Sequence, residues 1–225
     1  MTRPVSVIVP VHDGERYLAE ALESVFGQTV APREVVVVDD ASTDRSVEIA
    51  QGFGDLVRVV SSGARHPDRT RAIGVEAATH ELVAFCDADD RWAPTKLERQ
   101  LEVLGESDGP VLVWTGLEEF VSPELVGSYT GRPPAVDVRR PRLVGALLTT
   151  RETCRLGEPS LADCGSWVAW VAGLPPDVES RWADEALLLR RLHDRNHSTT
   201  NQRARQAWLR AARARAQRAR EDPAP

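Results

Sequence analysis

The sequence predicts an α/β protein with a Rossmann-like, mostly parallel sheet flanked by helices, and three kinds of observation carry that expectation. Short apolar runs recur at Val5 to Val9, Val35 to Val38, Val57 to Val60, Leu82 to Cys86 and Val111 to Trp114. Runs without polar alternation are what strands buried on both faces require. Segments of helical periodicity lie between them. Two of the runs then end in acidic residues, Val38-Asp39-Asp40 and Cys86-Asp87-Ala88-Asp89-Asp90. Acidic ends of buried strands belong at the carboxyl edge of the sheet, where α/β proteins bind ligands.

Each element has its own warrant. From Glu15 to Phe26, residues Tyr17, Leu18, Ala21, Leu22, Val25 and Phe26 repeat at helical spacing. Ser42-Thr43-Asp44 offers N-cap chemistry for a helix containing Val47, Ile49 and Ala50. A further helix is expected after Asp68-Arg69-Thr70, and another from near Pro94, where proline suits the first turn. Beyond Trp114 the pattern loosens. The stretch from Glu118 to Pro141 holds Pro123, Pro133, Pro134, Gly127 and Gly131, and reads as a loop with short embedded elements. Leu143 to Thr150 reads as a strand, Trp167 to Val171 as a helix, and Ala186 to Leu192 as a return to the sheet. Alanine and arginine favour helix, so Gln202 to Arg220 is expected to form a C-terminal helical tail. The expected organisation is one domain over residues 1–200, with halves at 1–115 and 116–200, followed by a basic tail at 201–225.

Composition narrows the function classes. A chain of 225 residues with net charge −6 is a poor general binder of nucleic acid. No apolar stretch approaches the ~20 residues that span a bilayer, and the first apolar run ends at Pro10 without a cleavage signal, so a cytoplasmic location is expected. Cys86, Cys154 and Cys164 fit neither a CxxC zinc pattern nor a disulfide framework, and reduced thiols are expected. The tail runs against the average charge, with seven arginines between Gln202 and Arg220. With Trp208 and Leu209 it could touch anionic lipid peripherally, although a solvated helix packed through its alanines is the favoured reading. Lys96 is the sole lysine, so arginine is preferred throughout the chain.

Asp87, Asp89 and Asp90 crowd three carboxylates onto one strand end. Like charges so close disfavour joint ionisation unless a cation compensates them. Carboxylate ligation suits a hard ion such as Mg²⁺ or Mn²⁺, which keeps positions open for phosphate oxygens. The alternative is an acidic turn that caps the next helix. After the first strand stands Pro10-Val11-His12-Asp13-Gly14-Glu15, which has neither the Rossmann glycine fingerprint nor a Walker loop. Phosphate charge would then fall to a metal and to an arginine such as Arg71.

Three ordered segments, VSVIVPVHDGERYLAEALESVFGQT, EVVVVDDASTD and ELVAFCDADDRWAPTKLERQ, resemble the family 2 glycosyltransferases of GT-A fold over roughly residues 5 to 104. The resemblance implies transfer of a sugar from a nucleotide-diphosphate sugar, UDP-sugars favoured, to a hydroxyl acceptor with inversion and with Mn²⁺ or Mg²⁺. It implies nucleotide-sugar contacts from Pro10, Val11, Glu15, Asp39, Asp40, Arg71, Asp87, Ala88 and Trp92. Asp89 would ligate the metal directly, with Asp87 and His193 assisting. Arg71-Ala72-Ile73-Gly74 departs from the family's Arg-Asn-x-Gly by placing alanine where asparagine stands. Trp92 would pack near the sugar or anchor the following helix in the core. In the second half, Asp163-Cys164 occupies the family's acidic pair, so Asp163 becomes the expected general base and the second position is filled by a cysteine. His193 and Asn196 resemble the closing His-x-x-Asn segment. The acceptor is left open among a glycan, a lipid-linked sugar, a peptide and a small metabolite. Two alternatives stand beside transfer: a degenerate relative that binds nucleotide or a partner without catalysis, and a nucleotidyltransferase.

Overall fold

The computed structural model describes residues 3–107, 109–131, 133–138, 142–157 and 167–194. The first half alternates as expected: β1 (Val5–Val11), α1 (Leu18–Phe26), β2 (Glu34–Asp39), α2 (Ser46–Gln51), β3 (Val57–Ser61), α3 (Pro67–Ala77) and β4 (Leu82–Phe85). There follow β5 (Arg91–Trp92), α4 (Lys96–Leu104), β6 (Val111–Val121), β7 (Val136–Asp137), β8 (Leu147–Thr150), α5 (Arg151–Arg155), α6 (Trp167–Gly173) and β9 (Glu179–Leu192). The strand order is β3-β2-β1-β4-β8-β6-β9-β5, with β7 paired to β6. The first four strands in that order run parallel. Strand β8 is antiparallel to both β4 and β6, and β9 is parallel to β6.

Both faces of the sheet are covered, which is why its strands read as unbroken apolar runs. Val5, Val7, Val9 and Val11 join Leu18, Leu22 and Val25 of α1 and Leu97 and Leu104 of α4 in one core. The intervening Ile8 joins Val36, Val38, Val83 and Phe85 on the other face, against Ala72 and Val75 of α3 and Trp167 and Trp170 of α6. Side chains alternate across a strand, so each run feeds two cores at once. Cys86 and Cys154 are buried free thiols, while Cys164 lies outside the described residues.

The expectations failed where polar residues hide regular structure. Strand β6 continues to Val121, so Glu118 to Val121 is not loop. Its partner β9 begins at Glu179, seven residues before the apolar run at Ala186, and the pair runs in parallel from Val111↔Glu179 to Val121↔Leu192. Glu119 in β6 is buried and pairs with Arg190 of β9 at 2.8 Å, so a charged pair replaces the apolar signal. Helix α1 starts at Leu18 rather than Glu15, because the N–H groups of Tyr17 and Leu18 both donate to Gly14 O at 3.0 Å and close a turn first. Helix α2 starts at Ser46, whose N–H donates to Asp44 Oδ1 at 2.9 Å. The stretch from Leu143 to Thr150 divides into a short helical turn, Val144–Ala146, and β8. The tail from Gln202 to Arg220 lies outside the described residues, among which no helix is long and apolar enough to cross a membrane.

Gly74 lets α3 lie directly on the sheet. A Cβ there would overlap the Ile8 Cγ2 methyl and sit 3.0 Å from Val38 Cγ2. Lys96 is fully buried at the start of α4, with Nζ 3.9 Å from the centroid of the Trp92 ring and donating to Gln100 Oε1 at 2.9 Å. Burial lowers its pKa to about 7, against a smaller opposing pull from Cys86. Gly74→Ala is expected to cost ~1–3 kcal/mol by overpacking, measured by denaturant melts. Between about pH 7 and pH 10 the unfolded chain holds a proton on Lys96 that the folded chain has released, so this group's burial cost shrinks as pH rises and is full below pH 7. Chemical denaturation should therefore show the wild type gaining stability relative to Lys96→Met as pH is raised through that window.

Candidate functional site

The carboxyl ends of β2, β1 and β4 lie side by side. Val11 pairs with Asp39, the N–H of Asp40 donates to Val11 O at 2.8 Å, and the N–H of Cys86 donates to Ile8 O at 3.0 Å. Each loop leaving β1, β2 and β3 places one non-glycine residue in the left-handed region: Asp13 (φ 48°), Ala41 (φ 61°) and Arg65 (φ 49°). Such backbone strain persists only where surrounding contacts enforce it, and it gathers at functional sites. The enforcing contacts are visible. Asp13 Oδ1 accepts the Thr43 N–H at 2.7 Å, Ser46 Oγ accepts the Gly14 N–H at 2.8 Å, and Asp44 Oδ2 accepts the Glu15 N–H at 2.8 Å. Glu15 itself is exposed and accepts the Arg45 N–H at 3.2 Å, so it laces the two loops together.

The two acids that end β2 have different roles. Asp40 accepts from Ser62 Oγ at 2.7 Å, from the Arg65 N–H at 2.7 Å and from the His66 N–H at 2.9 Å. Burial opposes its ionisation, but these hydrogen bonds outweigh burial and lower its pKa. Asp40 is therefore spent on the loop that enters α3. Asp39 accepts only the Ser42 N–H, at 3.2 Å on Oδ1, which leaves its second oxygen uncommitted among the described residues. Pro10, near the end of β1, and Ala88, in the loop after β4, are half-buried, and Val11, which pairs with Asp39, is buried.

The acidic loop after β4 distributes its carboxylates in three directions. Asp87 Oδ1 accepts from Arg71 at 2.5 Å, and the other end of that guanidinium donates to Asp68 Oδ1 at 2.7 Å. Burial alone would weaken the charge of Arg71, but Asp87 and Asp68 more than offset it and raise its pKa. Asp90 is buried, and burial together with the adjacent charges of Asp89 and Asp87 pushes its pKa well above the usual carboxylate range. Its Oδ1 accepts the Arg191 N–H at 2.9 Å. Asp89 turns outward, with Oδ2 2.9 Å from His193 Nε2. The structure thus unites Asp87, Asp89, Arg71 and His193 around one loop. Trp92 is only 2% exposed and packs in the core under Lys96, which fits an anchor for α4 rather than a surface for a sugar. Asp163, Cys164 and Asn196 lie outside the described residues.

Several residues at this edge were invisible in the sequence. Arg191 is 1% exposed, donates to Glu20 Oε2 at 2.7 Å, Asp89 O at 3.0 Å and Ser122 Oγ at 3.2 Å, and stacks over Tyr17 at 4.4 Å. Glu124 accepts from Tyr17 Oη at 2.5 Å and Ser122 Oγ at 2.7 Å, bonds that draw its pKa to about 2 and fasten the loop after β6 over the start of α1. Apart from the local Ser122–Glu124 bond, these partners lie 69 or more residues apart along the chain, and no local spacing announces them.

A family model described as Glycosyl transferase family 2 matches residues 6–121. An uncharacterized glycosyltransferase of Nostoc sp. is 39% identical over 108 residues, covering 46% of this chain and 34% of its own. The uncharacterized glycosyltransferase YibD of Escherichia coli K12 is 34% identical over 110 residues, covering 48% of this chain and 32% of its own. The matched region thus spans about a third of the length of these relatives. Among solved structures, S. aureus TarS 1-349 in complex with UDP-GlcNAc aligns with a TM-score of 0.65 at 19% identity, over 95% of this chain and 65% of that one. At that identity the likeness concerns the fold, which is the GT-A arrangement. Because the family model takes in more than half of the 225 residues, and the acidic edge described above lies within it, the chain belongs to glycosyl transferase family 2.

Proposed function

We propose that this protein transfers a sugar from a nucleotide-diphosphate sugar, with UDP-sugars the favoured donors, to a hydroxyl-bearing acceptor with inversion at the anomeric carbon. The observation that carries this reading is the convergence of Asp39, Asp87 and Asp89 on one carboxyl edge, from the neighbouring parallel strands β2 and β4 that flank β1. Asp39, with one oxygen uncommitted, accepts from a ribose hydroxyl or a ring N–H of the base. Arg71 holds Asp87 in place and adds positive charge beside the diphosphate. The complex of TarS with UDP-GlcNAc supports a donor of this class.

Asp89 and His193 fit a divalent cation. They offer one oxygen and one nitrogen at 2.9 Å from each other, and the Asp89 side chain is 36% exposed toward solvent. Among the described residues no group of three or more ligating side chains occurs, so the remaining positions of a Mn²⁺ or Mg²⁺ would fall to phosphate oxygens and water. Such a cation, when bound, supplies positive charge to the departing diphosphate. Asp163 is the proposed base that takes the acceptor proton in a single displacement. Support comes from Trp167, four residues past Asp163, whose N–H donates to Asp68 Oδ2 at 2.9 Å and so ties that part of the chain to the partner of Arg71.

Donor hydrolysis across a panel of nucleotide sugars tests the reading, and nucleotide binding without turnover of any donor would support a non-catalytic relative instead. Asp89→Ala is expected to lower Mn²⁺-dependent donor turnover by about two orders of magnitude or more, and full retained activity would remove Asp89 from the site. The two acids of β2 should separate cleanly. Asp39→Ala weakens UDP binding by about tenfold with little change in melting temperature, whereas Asp40→Ala costs ~1–3 kcal/mol of stability because it strands three part-buried donors.

A further inference from the structure

We infer that Asp68 is a positioning residue that ties the acceptor-side helix α6 to the diphosphate-holding pair Arg71–Asp87; the inference rests on the donor reading above. Three hydrogen bonds form an unbroken path: Asp87 Oδ1 to Arg71 at 2.5 Å, Arg71 to Asp68 Oδ1 at 2.7 Å, and Asp68 Oδ2 to the Trp167 N–H at 2.9 Å. Each bond involves an ionised partner, and such bonds are shorter and stronger than neutral ones. Neither side chain of the central pair is open to water, with Asp68 at 13% and Arg71 at 11% exposure, so the pair is little screened.

The two oxygens of Asp68 divide the work between the halves of the molecule. One faces Arg71 within α3, and the other caps the first N–H of α6, which lies 99 residues further along the chain. Arg71 also carries a buried Nε with no partner among the described residues, so its guanidinium keeps donor capacity for a further acceptor. When a diphosphate arrives beside Asp87, its charge competes for Arg71. A shift of that guanidinium is then transmitted to Asp68 and from there to the backbone at Trp167. The helix is docked on the sheet independently of this bond, because the Trp167 ring packs on Phe85 at 5.7 Å and on Trp114 at 6.3 Å. Asp68 is thus placed to set the register of α6 rather than to hold it on the sheet.

Amide exchange measured by mass spectrometry, with UDP and Mn²⁺ as the probe, tests this directly. In the wild-type chain, UDP with Mn²⁺ is expected to slow exchange in the 167–173 segment by about fivefold or more. Asp68→Asn can still accept the Trp167 N–H but cannot pair with Arg71, so it should bind UDP within about threefold of wild type while losing most of that slowing. Asp68→Ser provides a second, smaller variant with the same expectation, and Asp68→Glu should restore part of the response. Equal slowing in wild type and variants overturns the coupling, as does loss of UDP affinity in the variants, which would confine Asp68 to donor binding. Failure of the wild-type chain itself to bind UDP overturns the donor reading instead.

Discussion

A single buried guanidinium holds the acidic edge together. Arg191 is almost completely withdrawn from water, where an unpaired charge would be very costly. Its cost is offset by Glu20, by Ser122, by the carbonyl of Asp89 and by two aromatic faces, Tyr17 at 4.4 Å and Phe120 at 4.8 Å. Only Arg191 is withdrawn from water, since the Glu20 side chain is 47% exposed, and for such a buried charge the loss of a partner is expensive. What Arg191 supplies is placement. Through its side chain it fixes the backbone of Asp89, and through its own N–H it fixes the carboxyl of Asp90. The acidic loop is therefore braced from beneath, which leaves the outward carboxylate of Asp89 beside His193.

The same logic explains how the two halves of the sheet become one site. Residues 6–121 match the family, and everything after them must be fastened to that half by contacts distant in sequence. Strand β9 reaches it through Arg191 and His193, the start of α6 is registered on it by the Trp167 N–H on Asp68, and the loop after β6 is tied by Glu124 on Tyr17. Each tie ends at or near the acidic edge rather than in the apolar core. The cores place the layers, and the polar ties place the chemistry.

What the sequence made legible follows from this division. Local apolar periodicity located β1, β2 and β4 closely, because strands covered on both faces leave little polar alternation to confuse them, and it found the edge strand β3 despite its exposed Arg58. The acidic ends of β2 and β4 were legible for the same reason, as each is tied to a strand already recognised. Strands β6 and β9 were only half seen, since the Glu119–Arg190 pair puts charge where burial normally demands carbon. Asp40 and Asp39 looked equivalent in sequence, and only the hydrogen bonds from Ser62, Arg65 and His66 show which one is consumed. The roles of Arg191 and Asp68 rest on pairings across the fold, and no window along the chain contains both partners.

Lys96 gives the chain an unusual chemical asymmetry. It is the sole lysine of the sequence, and its amine is sealed between the Trp92 ring and Gln100. Every other positive side chain of the arginine-rich sequence is inert to acylating reagents, so the one ε-amine available to them is reachable only when the interior opens. A lysine-specific protease faces the same barrier, because its only cleavage point begins α4. The interior therefore carries its own single-site chemical clock: the rate at which Lys96 is modified or cut counts how often the packing between α4 and the sheet comes apart.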